Sequence, residues 1–264
     1  MNLIRTPVAL KVPARIAAIF WAIKLLTTAF GESTSDYLVH AVNPYLAVIG
    51  GFLVFVMAMV LQLRTERYVP WVYWLAVSMV AVFGTMAADV THIEFRVPYA
   101  VSSILFAVLL VAVFWSWSRL ERTLSIHSIT TPRRELFYWA AVLATFAMGT
   151  ALGDLAAYTL NLGFLSAGIL FAVLFALPGL AFYFLRINAV LAFWAAYVMT
   201  RPLGASFADW TGKSRTAGGL GIGDGPVAAV LALLIIAGVA YLTVSHSDQV
   251  QTVKFDPALG EETG

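Results

Sequence analysis

Apolar stretches of about twenty residues follow one another along the chain, separated by short polar breaks. Eight of them cover residues 15–39, 44–63, 70–92, 98–117, 136–158, 162–185, 187–211 and 226–244. A bilayer core about 30 Å thick takes about 20 mostly apolar residues per spanning helix. The pattern therefore predicts an all-α, polytopic membrane bundle of eight transmembrane helices. The sixth and seventh stretches run almost together around Arg186-Ile187-Asn188. The first reads as a span and not as a cleavable leader, because it carries Lys24, is too long, and ends in the poor cleavage context Gly31-Glu32-Ser33-Thr34-Ser35-Asp36.

The polar breaks are unequal in charge. One side of the predicted bundle holds Arg5, Lys11, Arg15, Arg64, Arg67, Arg119, Arg122, Arg133, Arg134, Arg186 and Lys254, against Arg96, Lys213 and Arg215 on the other. The positive-inside rule then places both termini in the cytoplasm.

Aligning alternate stretches exposes an internal repeat. Phe20-Trp21 precedes Gly31 and Asp36; Tyr73-Trp74 precedes Gly84 and Asp89; Tyr138-Trp139 precedes Gly149 and Asp154; Phe193-Trp194 precedes Gly204 and Asp209. Each copy reads aromatic-Trp, nine residues, Gly, four residues, Asp, without gaps. Each repeat contains two spans, so all four copies enter the membrane in the same sense, as parallel repeats about an axis along the membrane normal. The expected organisation is a cytoplasmic N-terminal segment (1–14), a first half with repeats one and two (15–117), a basic cytoplasmic linker (118–135), a second half with repeats three and four (136–245), and a cytoplasmic tail (246–264).

With Lys11-Val12-Pro13, Phe20-Trp21 and Gly31 to Asp36 as its opening, the chain resembles a family of bacterial integral membrane proteins of unknown function. That family is built from four tandem two-helix repeats, each with a characteristic tryptophan, which here would be Trp21, Trp74, Trp139 and Trp194. The resemblance implies the eight-span repeat architecture, and with it a multi-pass protein of the bacterial inner membrane; it implies no activity. Repeat four departs most, with Arg201-Pro202 ahead of its glycine and Ala205 where the others carry Glu or Thr.

Composition agrees with the membrane class. Of 264 residues, 61% are hydrophobic and only 11% charged, with a mean hydropathy of +0.87. An ordinary soluble domain carries about 25% charged residues, so a soluble globular protein and a nucleic-acid binder are excluded. There are no cysteines, which removes disulfides and thiolate metal sites. Gly212-Lys213-Ser214 lacks the earlier glycine of a phosphate loop, and no His-Glu-x-x-His or Gly-x-Ser-x-Gly motif exists.

The chemistry lies in five acids inside apolar stretches: Glu32, Asp36, Asp89, Asp154 and Asp209. An ionisable group at mid-bilayer costs at least about 2.5–3.5 kcal/mol, and such groups usually line polar paths for ions or protons. Residues four apart share a helix face, so Glu32 pairs with Asp36, Thr85 with Asp89, and Thr150 with Asp154. Gly31, Gly84, Gly149 and Gly204 are read as hinges beside these pairs. These three pairs, with Asp209 of repeat four, would converge around an axis as an all-oxygen site suited to a hard divalent cation. His40 and His92 lie within one turn of Asp36 and Asp89 and could add imidazole ligands. Lys24 is expected to hold Glu32 ionised, and Arg201 to pair with Asp209. The four tryptophans read as interfacial anchors. A packing alternative stays open, in which the glycines are helix contacts and the aspartates are caps or partners of the cations.

The functional expectation is a secondary transporter and not an enzyme. Its substrate would be a divalent metal cation of the Mn or Mg kind, with export as one direction and protons as coupling ions. No cofactor is expected beyond that ion as substrate, and the only other partners are membrane lipids, without nucleic acid. Competing expectations are a cation channel with an aspartate ring, and a membrane-embedded enzyme or accessory protein that binds a lipid-like or organic-cation ligand. The oligomeric state is not read from the sequence.

Overall fold

The structure is a computed structural model that describes residues 10–249. Arg5, Lys254, Asp256, Glu261 and Glu262 lie outside the described residues, as do most of the predicted N-terminal segment and tail. Eight long helices are present, and no strand occurs among the described residues: α1 (Ala18–Ala41), α2 (Pro44–Arg64), α3 (Pro70–Ile93), α4 (Tyr99–Glu121), α5 (Pro132–Asp154), α6 (Gly163–Leu185), α7 (Ala189–Gly212) and α8 (Asp224–Ser245).

Local sequence explains the helix ends. Pro44, Pro70 and Pro132 sit in the first turn of their helices, where a missing N–H costs nothing. The side chain of Asn43 accepts hydrogen bonds from the backbone N–H groups of Tyr45 and Leu46, and that of Asn188 from Val190 and Leu191. Arg186, with φ of 52°, turns the chain out of α6 just before the Asn188 cap. That pair separates two stretches that run together in the sequence. The linker expected over 118–135 shrinks to 122–131, because α4 continues to Glu121 and α5 begins at Pro132. Glu135, a loop residue by sequence, is buried in the first turn of α5. It accepts hydrogen bonds from Lys11 Nζ at 2.7 Å and Gln62 Nε2 at 2.9 Å.

Among the described residues six helices are long and apolar enough to cross a membrane: α2, α3, α4, α5 with the turn that follows it, α6 and α8. The other two, α1 and α7, are each 24 residues long but carry Lys24, Glu32, Asp36, Arg201 and Asp209. Those five charged side chains are buried inside the bundle, so the helices that look least like spans are the ones the others enclose.

The odd-numbered helices form an inner ring in which each packs on the next and α7 packs on α1. The even-numbered helices lie outside with large apolar side chains exposed, among them Met57, Ile104, Phe184 and Leu233. Each outer helix packs mainly against the inner helix of the following repeat: α2 on α3, α4 on α5, α6 on α7, and α8 back on α1. No repeat is a self-contained unit.

The repeat motif builds this ring directly. A Cβ on Gly31 would strike Ala81, one on Gly84 would strike Phe146, one on Gly149 would strike Arg201, and one on Gly204 would strike Thr28. In every case the glycine of one repeat receives the residue three positions before the glycine of the next, and the series closes from repeat four to repeat one. The glycines expected as hinges lie within unbroken helices and serve as close contacts. A second layer repeats the rule with aromatics. Phe20 packs on Trp74 at 5.4 Å between ring centroids, Tyr73 on Trp139 at 5.7 Å, Tyr138 on Trp194 at 6.0 Å, and Phe193 on Trp21 at 5.6 Å. Trp74, Trp139 and Trp194 are buried, and Trp21 half-buried. They are a packed layer and not interfacial anchors, because each ring fills the gap beside its neighbour's first aromatic.

Candidate functional site

The two layers divide the ring axis into a closed end and an open one. At the closed end, beside the aromatic layer, the Tyr73 and Tyr138 hydroxyls are 2.5 Å apart. The segment around Leu10 and Lys11 crosses this end through Lys11 N–H to the Ile129 carbonyl (3.1 Å) and Tyr68 N–H to the Leu10 carbonyl (2.8 Å). The Tyr68 hydroxyl donates to the Asp248 carboxylate. Burial, and then this bond and the charge of Asp248, push the Tyr68 hydroxyl well above the usual tyrosine range.

Between the two ends lies a column of buried cations. Lys24 Nζ sits over the rings of Phe146 at 4.1 Å and Tyr197 at 4.3 Å, and has no hydrogen-bond partner among the described residues. It does not reach Glu32, which lies eight residues on, about 12 Å along the helix. Arg201 also lies against the Phe146 ring, with Cζ 5.7 Å from its centre. Its Nη2 donates to Glu32 Oε2 (2.5 Å), Thr85 Oγ1 (2.5 Å) and Thr150 Oγ1 (2.6 Å). Each threonine hydroxyl in turn donates to a carbonyl in its own helix, Thr85 to Ala81 and Thr150 to Phe146, and so is oriented to accept.

These three oxygens come from one position, the residue after the glycine in repeats one, two and three. Repeat four has Ala205 there, which has no oxygen, and supplies the guanidinium instead. The expected Arg201–Asp209 pair does not form, because eight helical residues separate them; Glu32 is the counter-charge. The threonine oxygens face Arg201, so they are not paired with Asp89 and Asp154 as cation ligands.

Beyond this node a cavity of about 670 Å³ opens toward the other end of the bundle. All five acids line it: Glu32, Asp36, Asp89, Asp154 and Asp209. The ring aspartates thus do converge, one from each inner helix. Oxygens of Glu32, Asp36 and Asp209 lie within 4.8 Å of one another. Asp209 Oδ1 is buried without a hydrogen-bond partner among the described residues. Lys213 Nζ is 2.5 Å from Asp36 Oδ2 and 3.8 Å from Asp209 Oδ1. Asp89 and Asp154 have no cation partner among the described residues. The rim carries Tyr45, Glu94, Tyr99 and Tyr158; the last two rings stack at 6.0 Å, and the Tyr45 hydroxyl donates to Glu94 at 3.3 Å.

A family model described as Repeat of Unknown Function (DUF347) matches residues 19–68, 72–123, 137–188 and 192–248. The chain belongs to this family. Each DUF347 match begins at an inner helix and ends after the outer helix that follows, so the family's unit is the inner–outer pair and its four copies make the ring. No curated protein and no solved structure matches the chain.

The two histidines divide. His40 lines the cavity at its exposed mouth, with Nδ1 2.6 Å from the Asp36 carbonyl oxygen. His92 is turned away: Nδ1 lies 2.9 Å from the Val97 carbonyl and Nε2 3.2 Å from Ser102 Oγ, so both ring nitrogens are occupied. Its place as a ligand is not supported. The glycine-rich segment 218–223, between α7 and α8, is folded onto the end of α7. Leu220, Ile222 and Gly223 donate to the carbonyls of Trp210, Thr211 and Gly212 at 2.7, 3.2 and 3.0 Å. Gly218, Gly221 and Gly223 take φ of 90°, 77° and 95°, which makes that path accessible.

Sequence reasoning missed Lys213, Tyr158 and the Phe146–Tyr197 aromatic pair. A signal for the first two existed. The position four residues after each ring aspartate holds His40, Ile93, Tyr158 and Lys213, and three of these line the cavity.

Proposed function

We propose that this DUF347 protein is a secondary transporter that takes a divalent metal cation into the acidic cavity and exchanges it for protons. In this reading all eight helices cross the bacterial inner membrane as four parallel repeats. The closed end, with the basic linker and both termini, faces the cytoplasm. The observation that carries the reading is the convergence of five carboxylates, three buried and two half-buried, on a cavity that one layer of polar contacts and one aromatic layer shut at the far end. Such a column supports alternating access more than an open pore, because Arg201 stands on the axis where a channel would need a path. Among the described residues the five carboxylates have Arg201 and Lys213 as their only ion-pair partners, leaving three formal negative charges for a metal ion and protons to balance.

One observation favours a second ligand class. The tyrosine rim and a volume well beyond a bare ion suit an organic cation, held by carboxylates and aromatic faces together.

The test is flux in proteoliposomes under an imposed pH gradient, with Mn²⁺, Mg²⁺ and a panel of organic amines. Uptake of one divalent ion with opposing proton movement is expected. Asp154→Asn should reduce it by at least about tenfold, since a charge-assisted contact is worth about 1.5–3 kcal/mol, while folding stays intact because no ion pair is lost. Flux of amines alone would select the second class, and no cation-driven flux would overturn the reading.

A further inference from the structure

We propose that Lys213 is a tethered competitor for the cation site, holding the carboxylates of Asp36 and Asp209 until a divalent ion displaces it and thereby rejecting monovalent ions. This rests on the cation-transport reading and gives it a source of charge selectivity.

The ammonium sits on oxygens that an incoming cation would use. Asp36 and Asp209, its two partners, belong with Glu32 to the one cluster of carboxylates among the described residues that is close enough to share an ion. Glu32 is already committed through one oxygen to Arg201, and Lys213 occupies one oxygen of Asp36 and stands 3.8 Å from Asp209 Oδ1, which has no hydrogen-bond partner among the described residues. Its backbone is anchored on both sides. The Lys213 N–H donates to the Asp209 carbonyl, and its own carbonyl accepts from Gly221 N–H, both at 2.9 Å. Gly219 packs so closely under that carbonyl that a Cβ there would strike it. The root is fixed, while the four-carbon stem above it retains rotatable bonds.

Proton loss does not vacate the site. Burial alone would lower the Lys213 ammonium's pKa, but the charges of Asp36 and Asp209, with Asp224 behind them, outweigh burial and hold it above the usual lysine range. The lysine therefore keeps its charge at the site throughout the neutral range. What the geometry supports is competition for the shared oxygens of Asp36 and Asp209. A tethered group acts at an effective concentration on the order of millimolar or more. A free monovalent ion offers the same single charge without that advantage. A divalent ion brings twice the charge and can take several carboxylate oxygens at once.

The experiment is calorimetric titration of Mn²⁺ into the full chain in detergent, in low-sodium buffer and again with sodium added, for the wild type, Lys213→Gln and Lys213→Arg. Lys213→Gln is expected to bind Mn²⁺ at least about tenfold tighter, a difference of about 1.4 kcal/mol, and to become sensitive to sodium. Lys213→Arg should stay within a few-fold of the wild type. Equal affinity and equal sodium response in wild type and Lys213→Gln would overturn the competitor role and leave the transport reading standing. No Mn²⁺ binding to any of the three would overturn both. A measurement on the unaltered chain guards against misfolding of the variants. Amine acylation read by mass spectrometry should modify Lys213 several-fold more with Mn²⁺ than without, and unchanged labelling at saturating bound Mn²⁺ would also overturn the proposal.

Discussion

The aromatic layer and the acidic layer are drawn from the same four repeats, yet one keeps the repeat symmetry and the other abandons it. Around the aromatic layer every contact recurs: first aromatic on the next tryptophan, four times, at 5.4 to 6.0 Å. Immediately after the glycines the equivalent residues are Glu32, Thr85, Thr150 and Ala205, and the cations Lys24 and Arg201 occur once each. The difference teaches where each kind of physics applies. Packing energy adds copy by copy, so four similar contacts serve as well as four different ones. Charge in a low-dielectric interior does not multiply in that way, because four equivalent arginines on one axis would repel without enough acceptors.

Three substitutions sharpen that contrast, the largest effect first. Arg201→Met strands Glu32 without its counter-charge and should destabilise the protein by about 3–5 kcal/mol, measured by thermal unfolding in detergent. Adding Glu32→Gln should recover much of the loss. If the single variant were as stable as the parent, the node would not be the organising feature of the polar layer. Gly31→Ala tests the repeated contact: its methyl would lie 2.7 Å from the Ala81 backbone carbon, where nothing flexible can move, and overpacking of this kind costs about 1–3 kcal/mol. Gly50→Ala, with nothing within 4 Å of the new methyl, is the control and should be neutral or slightly stabilising. The smallest effect belongs to Tyr73→Phe, which removes the buried hydroxyl contact with Tyr138 at about 1 kcal/mol. An effect as large as that of Arg201→Met would show the aromatic end to be polar in character after all.

How much of this could be read from the chain follows the same division. The Trp, Gly and Asp spacing exposed the four-copy unit, and the helix boundaries fall within a few residues of the apolar stretches because proline, asparagine and length set them locally. The convergence of Asp36, Asp89, Asp154 and Asp209 follows from the repeat too. What sequence could not give is who pairs with whom across the axis. Arg201 and Glu32 are 169 positions apart, and helical proximity on α7 pointed to Asp209 instead. Lys24 had no carboxylate to find, since its level of the column is filled by Phe146 and Tyr197. The role of the tryptophans was misjudged for a related reason: position along a span shows depth, and only the ring shows which side of the helix faces inward.

The interlock of outer and inner helices also sets an order of manufacture. A ribosome delivers α1 first, and with it Lys24, Glu32 and Asp36. The helix that covers α1 from outside is α8, and the guanidinium that answers Glu32 arrives on α7. The first helix therefore waits for nearly the whole chain before its charges are answered. Until then it is an incomplete wall with three ionisable groups in an apolar setting, the kind of segment that membrane quality control is suited to detect. A chain truncated after α6 would expose that wall permanently.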